Sequence, residues 1–118
     1  LSRRRVFLGR EGEDAALKYL QQKGYLLLDK NFRCSAGELD LVMLDGRQLV
    51  FVEVRTRKSR DFGTPEESIT VTKQRQVKKV ALAYLAGHKL PPGGFRFDVV
   101  AVDYSGGSRE IRHLPHAF

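Results

Sequence analysis

The stretch from Glu38 to Thr56 constrains the fold more than any other part of the chain. Glu38 to Leu44 and Gln48 to Thr56 are apolar runs rich in valine and leucine, and between them stand Asp45 and Gly46, a dipeptide suited to a two-residue hairpin turn. Side chains alternate along a strand, so Val50, Val52 and Val54 share one face while Leu49, Phe51, Glu53 and Arg55 share the other. The second face changes from apolar to charged toward its end. A site is expected at that end.

Around this hairpin the remaining signals fall into order. Arg10 to Lys23 reads as a helix with Ala16, Leu17 and Leu20 in a stripe, closed by Gly24. Glu13 lies on the same stripe, so its carboxylate is directed at whatever the helix packs against and requires a partner there. Tyr25 to Leu28 is a short strand, and Asp29 to Gly37 a polar connection. Gly63-Thr64-Pro65 breaks the chain, Thr72 is a helix N-cap, and the helix it opens runs to about Ala86 with Val77, Val80, Ala81, Tyr84 and Leu85 on one face and Gly87 after it. Phe95 to Asp103 is a strand, Ser105 to Ser108 a turn, and Arg109 to Leu114 a last edge strand. The order α-β-β-β-α-β(-β) gives an α/β fold, a mixed sheet of four or five strands flanked by helices. With 118 residues, no internal repeat and no long linker, residues 1–118 are expected to form one domain, with 1–8, including Arg3, Arg4 and Arg5, as a flexible basic arm.

Composition narrows the functional classes. Hydrophobic residues make up 42% and charged residues 30%, which excludes a disordered tail. Twenty-one Lys and Arg against fourteen Asp and Glu leave a formal charge of +7, which favours polyanions such as nucleic acid. The apolar runs are strand-sized, so no membrane crossing and no export signal are expected. A lone Cys34 forms no internal disulfide and suits a reducing cytoplasm. Cys34, His113 and His116 do not make a zinc set.

If Asp45 and Gly46 are the turn, Asp40 opposes Phe51 and Glu38 opposes Glu53, and all four share a face. Opposed Cβ atoms lie about 5 Å apart and diagonal ones about 7–8 Å, so Glu38, Asp40 and Glu53 would form a cluster of like charges. A divalent cation such as Mg²⁺ offsets that repulsion. Pairing with Arg33, Arg47 and Arg55 is the competing account, and a one-residue bulge would send Glu53 to the opposite face. Arg55, Arg57, Lys58 and Arg60 follow the acids directly, where phosphates beside a bound metal would be neutralised. Lys73 and Arg75 form a second basic group near the start of the later helix, while Lys78 and Lys79 read as a solvated helix face. Asp98, within an apolar strand, fits either a supporting place near the site or pairing with an arginine.

Asp40, Glu53 and Arg55 match the Asp-Xn-Glu-X-Lys pattern of restriction-endonuclease-like nucleases, with arginine in place of the lysine. Gly9-x-x-Gly12-Glu13, Gly37-Glu38-Leu39-Asp40, Phe51-Val52-Glu53-Val54-Arg55, Gly63-x-Pro65, Thr72-Lys73 and Arg96-Phe97-Asp98-Val99-Val100 occur in order. Together, from about Val6 to Val102, they resemble the YraN family of small bacterial proteins, similar in fold to archaeal Holliday junction resolvases. The resemblance implies a restriction-endonuclease-like core and a nuclease dependent on Mg²⁺ or Mn²⁺ that cuts DNA, selecting junctions or other branched forms in repair or recombination. It implies Asp40 and Glu53 as metal ligands, Glu13 as a third acid beside them, Arg55 as an assisting cation and a homodimer as the working form. A non-catalytic nucleic-acid-binding protein on the same fold is the alternative, and an interaction subunit of a repair assembly a third.

Overall fold

A computed structural model describes residues 3–61 and 63–118, with side chains from Gly9 onward. Helix α1 (Arg3–Gln22) leads into three strands in succession, β1 (Leu26–Cys34), β2 (Gly37–Asp45) and β3 (Gln48–Arg57). A single 3-10 turn (Glu66–Ser68) precedes helix α2 (Val71–Ala86), and β4 (Phe95–Asp103) and β5 (Glu110–Leu114) complete the chain. The strands lie in sequence order in one five-stranded sheet. β3 and β4 are parallel and every other neighbouring pair is antiparallel. Parallel neighbours need a crossover, and α2 supplies it.

The two helices cover opposite faces of the sheet. Ala16 and Leu20 of α1 pack on Leu41, Met43, Val50, Val52, Val100 and Val102. Val77, Val80, Ala81 and Tyr84 of α2 pack on Leu39, Val42, Leu49, Phe51 and Phe97. Burial on both sides explains why β3 and β4 read as near-continuous apolar runs. Phe51 is fully buried, so truncating it to alanine would cost about 3–5 kcal/mol.

β4 and the Gly87 helix stop match the expectation, and four elements differ from it. α1 begins at Arg3 rather than near Arg10, through the stretch expected as an arm. β1 continues to Cys34 where a connection was expected, because pairing with β2 organises residues whose polarity suits an exposed sheet edge. The N-cap of α2 is Thr70, not Thr72: Thr70, extended at φ −72° and ψ 164°, accepts the Lys73 amide N–H on its side chain at 3.1 Å. The hairpin turn is Gly46-Arg47, not Asp45-Gly46, and Asp45 pairs with Gln48. Gly46, at φ +59°, occupies the first turn position, where a left-handed conformation favours glycine. Among the described residues no helix is long and apolar enough to cross a membrane.

Candidate active site

The one-residue displacement of the turn shifts the β2–β3 register by two residues. A two-residue shift keeps each side chain on its face and changes only its partner. The ladder runs from Asp45–Gln48 to Leu41–Val52 and stops there. One step further places Asp40 across from Glu53, rather than from Phe51, and removes Glu38 from its expected place opposite Glu53.

The ladder stops because β2 rotates at Asp40. Leu41 and Met43 belong to the core under α1, yet Leu39, which simple alternation would place with them, belongs to the core under α2. From Asp40 outward β2 stays paired with β1, as far as Gly37–Cys34, and leaves β3. β3 continues to Arg57 paired only with β4 on that stretch. At this fork the Asp40 Oδ2 accepts the backbone N–H of Val54 at 2.8 Å. The side chain thus takes over where the strand no longer offers a carbonyl.

Glu53 is only 2% exposed and its Oε1 has no hydrogen-bond partner. Its carboxyl lies within hydrogen-bonding reach of Asp40. Burial, then the charge of Asp40, pushes the Glu53 pKa up to about 8, with Lys73 and Arg55 opposing. Burial also raises Asp40, against the Val54 N–H, Arg55 and Lys73. Lys73 owes its place to the Thr70 cap, which sets it in the first turn of α2 above the two acids.

Glu13 reaches the fork from α1. Gly12 makes this close approach workable, since a Cβ there would collide with the Thr56 side chain of β3. Glu13 is half-buried, and burial followed by the charges of Asp40 and Glu38 lifts its pKa to about 7. It stands beside Asp40 and Glu38 rather than closing a cage with Asp40 and Glu53. Among the described residues no three His, Cys, Asp or Glu side chains form a ready metal cage. The fitting donor set is therefore the Asp40–Glu53 pair. Glu53 Oε1 is a buried acceptor without a donor, and two carboxylates completed by waters and phosphate oxygens suit Mg²⁺ or Mn²⁺.

A cleft of about 460 Å³ lies next to the fork, lined by Gly9, Glu13, Val54, Arg55, Thr56, Arg57, Lys58 and Ser68, with Glu13 its one acid and Asp40 and Glu53 outside its lining. The Nε atoms of Arg55 and Arg57 are buried without acceptors. The other expected contacts divide. Arg60 turns away from the cleft to Asp103 at 2.8 Å and Ser105 Oγ at 3.2 Å. Arg75 lines a separate groove with Ala36, Thr72, Gln76 and Lys79. Asp98, fully buried, pairs with Arg96 at 2.9 Å and His113 at 2.7 Å, so arginine pairing is its part. Asn31, passed over in the sequence as part of a connection, stands opposite Asp40 on β1.

The family model described as Uncharacterised protein family UPF0102 matches residues 12–102, which include every acid at the fork. The chain belongs to the UPF0102 family. This is the family that the motifs brought to notice as YraN. A UPF0102 protein of Syntrophotalea carbinolica is 46% identical over 114 residues, covering 97% of this chain and 93% of that one. A UPF0102 protein of Geobacter metallireducens is 45% identical over 111 residues, 94% of this chain and 91% of that one. One from Caldicellulosiruptor saccharolyticus is 47% identical over 95 residues, 80% of each chain. UPF0102 membership thus spans both helices and the strands that carry the site.

Proposed function

We propose that this chain is a metal-dependent nuclease that hydrolyses phosphodiester bonds of DNA, on a core of the restriction-endonuclease type. The observation that carries the proposal is the Asp40–Glu53 pair at a strand fork, with Glu53 buried and its Oε1 unpartnered, Asp40 partly buried, and the cleft lined by Arg55, Arg57 and Lys58 beginning at the next residues of β3. A buried carboxylate short of donors beside a second, partly buried one is costly unless a cation joins them. The order of elements and the place of the acids on the hairpin support the reading.

Asp40 and Glu53 would hold Mg²⁺ or Mn²⁺, which when bound supplies a Lewis acid and an acidified water. Asp40 is oriented for this by the Val54 N–H. Arg55 and Arg57 present buried, unengaged Nε–H donors that would bind the scissile phosphate and its neighbour and balance charge developing there. A guanidinium is a hydrogen-bond donor and not a general base, so the part open to Arg55 is to bind phosphate oxygens. The charge of Lys73 is felt by both acids, so its amine would be the candidate for the part that the lysine of the nuclease pattern plays. Lys58 extends the phosphate path along the cleft. Two copies would give the paired cuts that a symmetric junction needs, in a cytoplasmic setting.

A non-catalytic DNA-binding protein is favoured by one observation, the arginine at position 55. Incubating supercoiled, linear, flapped and four-way-junction DNA with Mg²⁺ or Mn²⁺ separates the two. Cleavage by the wild type that disappears in both Asp40→Ala and Glu53→Ala supports the nuclease. Cleavage surviving both substitutions marks a contaminant and defeats it, and salt-sensitive binding with no cleavage in either metal favours the binding protein.

A further inference from the structure

Asn31 is the one residue within a strand, glycine apart, whose φ is positive among the described residues, at 56°. It falls between the pairs Lys30–Leu41 and Phe32–Leu39, which puts it across the ladder from Asp40, at the point where β2 rotates away from β3. Asparagine is among the few side chains that adopt this left-handed region readily. With its amide nitrogen facing the carboxylates, Asn31 Nδ2 is 2.9 Å from Glu13 Oε1 and 2.9 Å from Glu38 Oε1. The opposite orientation would press an oxygen against two oxygens, so the chemistry chooses the first. Glu38 is held on its other oxygen by Arg33 Nε at 2.8 Å.

Both N–H donors of one neutral side chain are therefore spent on two acids from different elements, α1 and β2. Resting on the nuclease reading above, we propose that Asn31 is a positioning residue that fixes the Glu13 carboxylate beside Asp40, where its negative charge adds to the field of the Asp40–Glu53 pair that would hold the cation. A lysine or arginine in its place would hold Glu13 equally well but cancel the charge that the site needs. The left-handed backbone and the amide belong to the same residue, across the ladder from Asp40.

Asn31→Gly separates the two contributions, since glycine keeps the left-handed backbone and deletes only the amide. Asn31 is solvent-exposed, so the melting temperature should stay within a few degrees of the wild type. Mn²⁺ affinity, read by electron paramagnetic resonance of free Mn²⁺ without DNA, should fall about tenfold, the low end of what loss of an outer-shell partner costs a metal site. Cleavage at low Mn²⁺ should lose kcat with KM for DNA unchanged, and about tenfold more Mn²⁺ should restore it. A variant that folds and binds Mn²⁺ as tightly as a Mn²⁺-binding wild type overturns the role of Asn31 alone. A wild type that neither binds Mn²⁺ nor cleaves overturns the nuclease reading and this inference with it.

Discussion

Asp98 and Asp103 on β4 are buried as deeply as Glu53 on β3, at 0% and 2% exposed against 2%, but their surroundings are opposite. Asp98 receives Arg96 on both oxygens, His113 Nε2 at 2.7 Å and the His116 amide at 3.2 Å. Arg96 in turn reaches Tyr25, Asp45 and Gln48. Asp103 is held by Arg60, Arg112 and Ser105, and Arg112 also clasps Glu66 through two bonds of 2.7 Å. These contacts hold Asp98, Asp103 and Glu66 below the usual carboxylate range, Glu66 at about 2. Asp40, Glu53 and Glu13 are displaced upward instead. One set of acids is satisfied within the protein and holds the fold together. The other is left short of positive partners, and a bound cation would complete it.

The contrast can be broken most sharply by exchanging roles. Asp40→Asn should abolish metal-dependent cleavage, by roughly a thousandfold or more if the cation carries transition-state charge, while leaving a folded protein by circular dichroism. Asp98→Asn should do the reverse in kind, costing about 3 kcal/mol in urea denaturation, because the buried Arg96 would keep only the partly exposed Asp45 as a counter-charge. If Asp98→Asn proves harmless to stability, the division of the acids into two sets fails.

Glu53→Gln sharpens the comparison in the other direction. The fold keeps the Glu53 proton up to about 8 against an ordinary 4.5, so between those values the folded chain binds more protons than the unfolded one. That contribution to stability is complete below about 4.5 and declines as pH rises toward about 8. The glutamine variant should remove this decline and melt several degrees higher at pH 8, about 2 kcal/mol more stable, while losing cleavage. Mn²⁺ binding follows the same proton with the opposite sense: it must displace it, so affinity should rise with pH through this window and release protons in calorimetry. The smallest effect is expected from Arg60→Ala. Its half-exposed guanidinium supports Asp103 beside Arg112 and Ser105, and both DNA affinity and stability should change by under about 1 kcal/mol.

Much of this site is legible in the sequence, for identifiable reasons. Glu13 reveals itself because a charge on an apolar helical stripe must answer to something inside. Asp40 and Glu53 share a site despite the misjudged turn, because the turn error moved the register by an even number of residues. The partner changed and the face did not. The second half of β1 is invisible locally, since Asp29 to Cys34 is polar and becomes a strand only by pairing with β2. Asn31 is hidden with it. The destination of Arg60 is equally beyond local reading, as its partner Asp103 lies 43 residues away. Lys73 could have been placed more closely by weighing Thr70 against Thr72 as the cap, for the earlier threonine makes the lysine the third helical residue.

The hydrogen bond from Val54 N–H to Asp40 joins a backbone amide to an acceptor that titrates and that would be claimed by a cation. The amide's proton frequency and its rate of exchange with deuterated solvent are thereby tied to the state of one carboxylate. A single crosspeak in a two-dimensional ¹H–¹⁵N spectrum would register ion uptake at the fork with no DNA present and no bond cut.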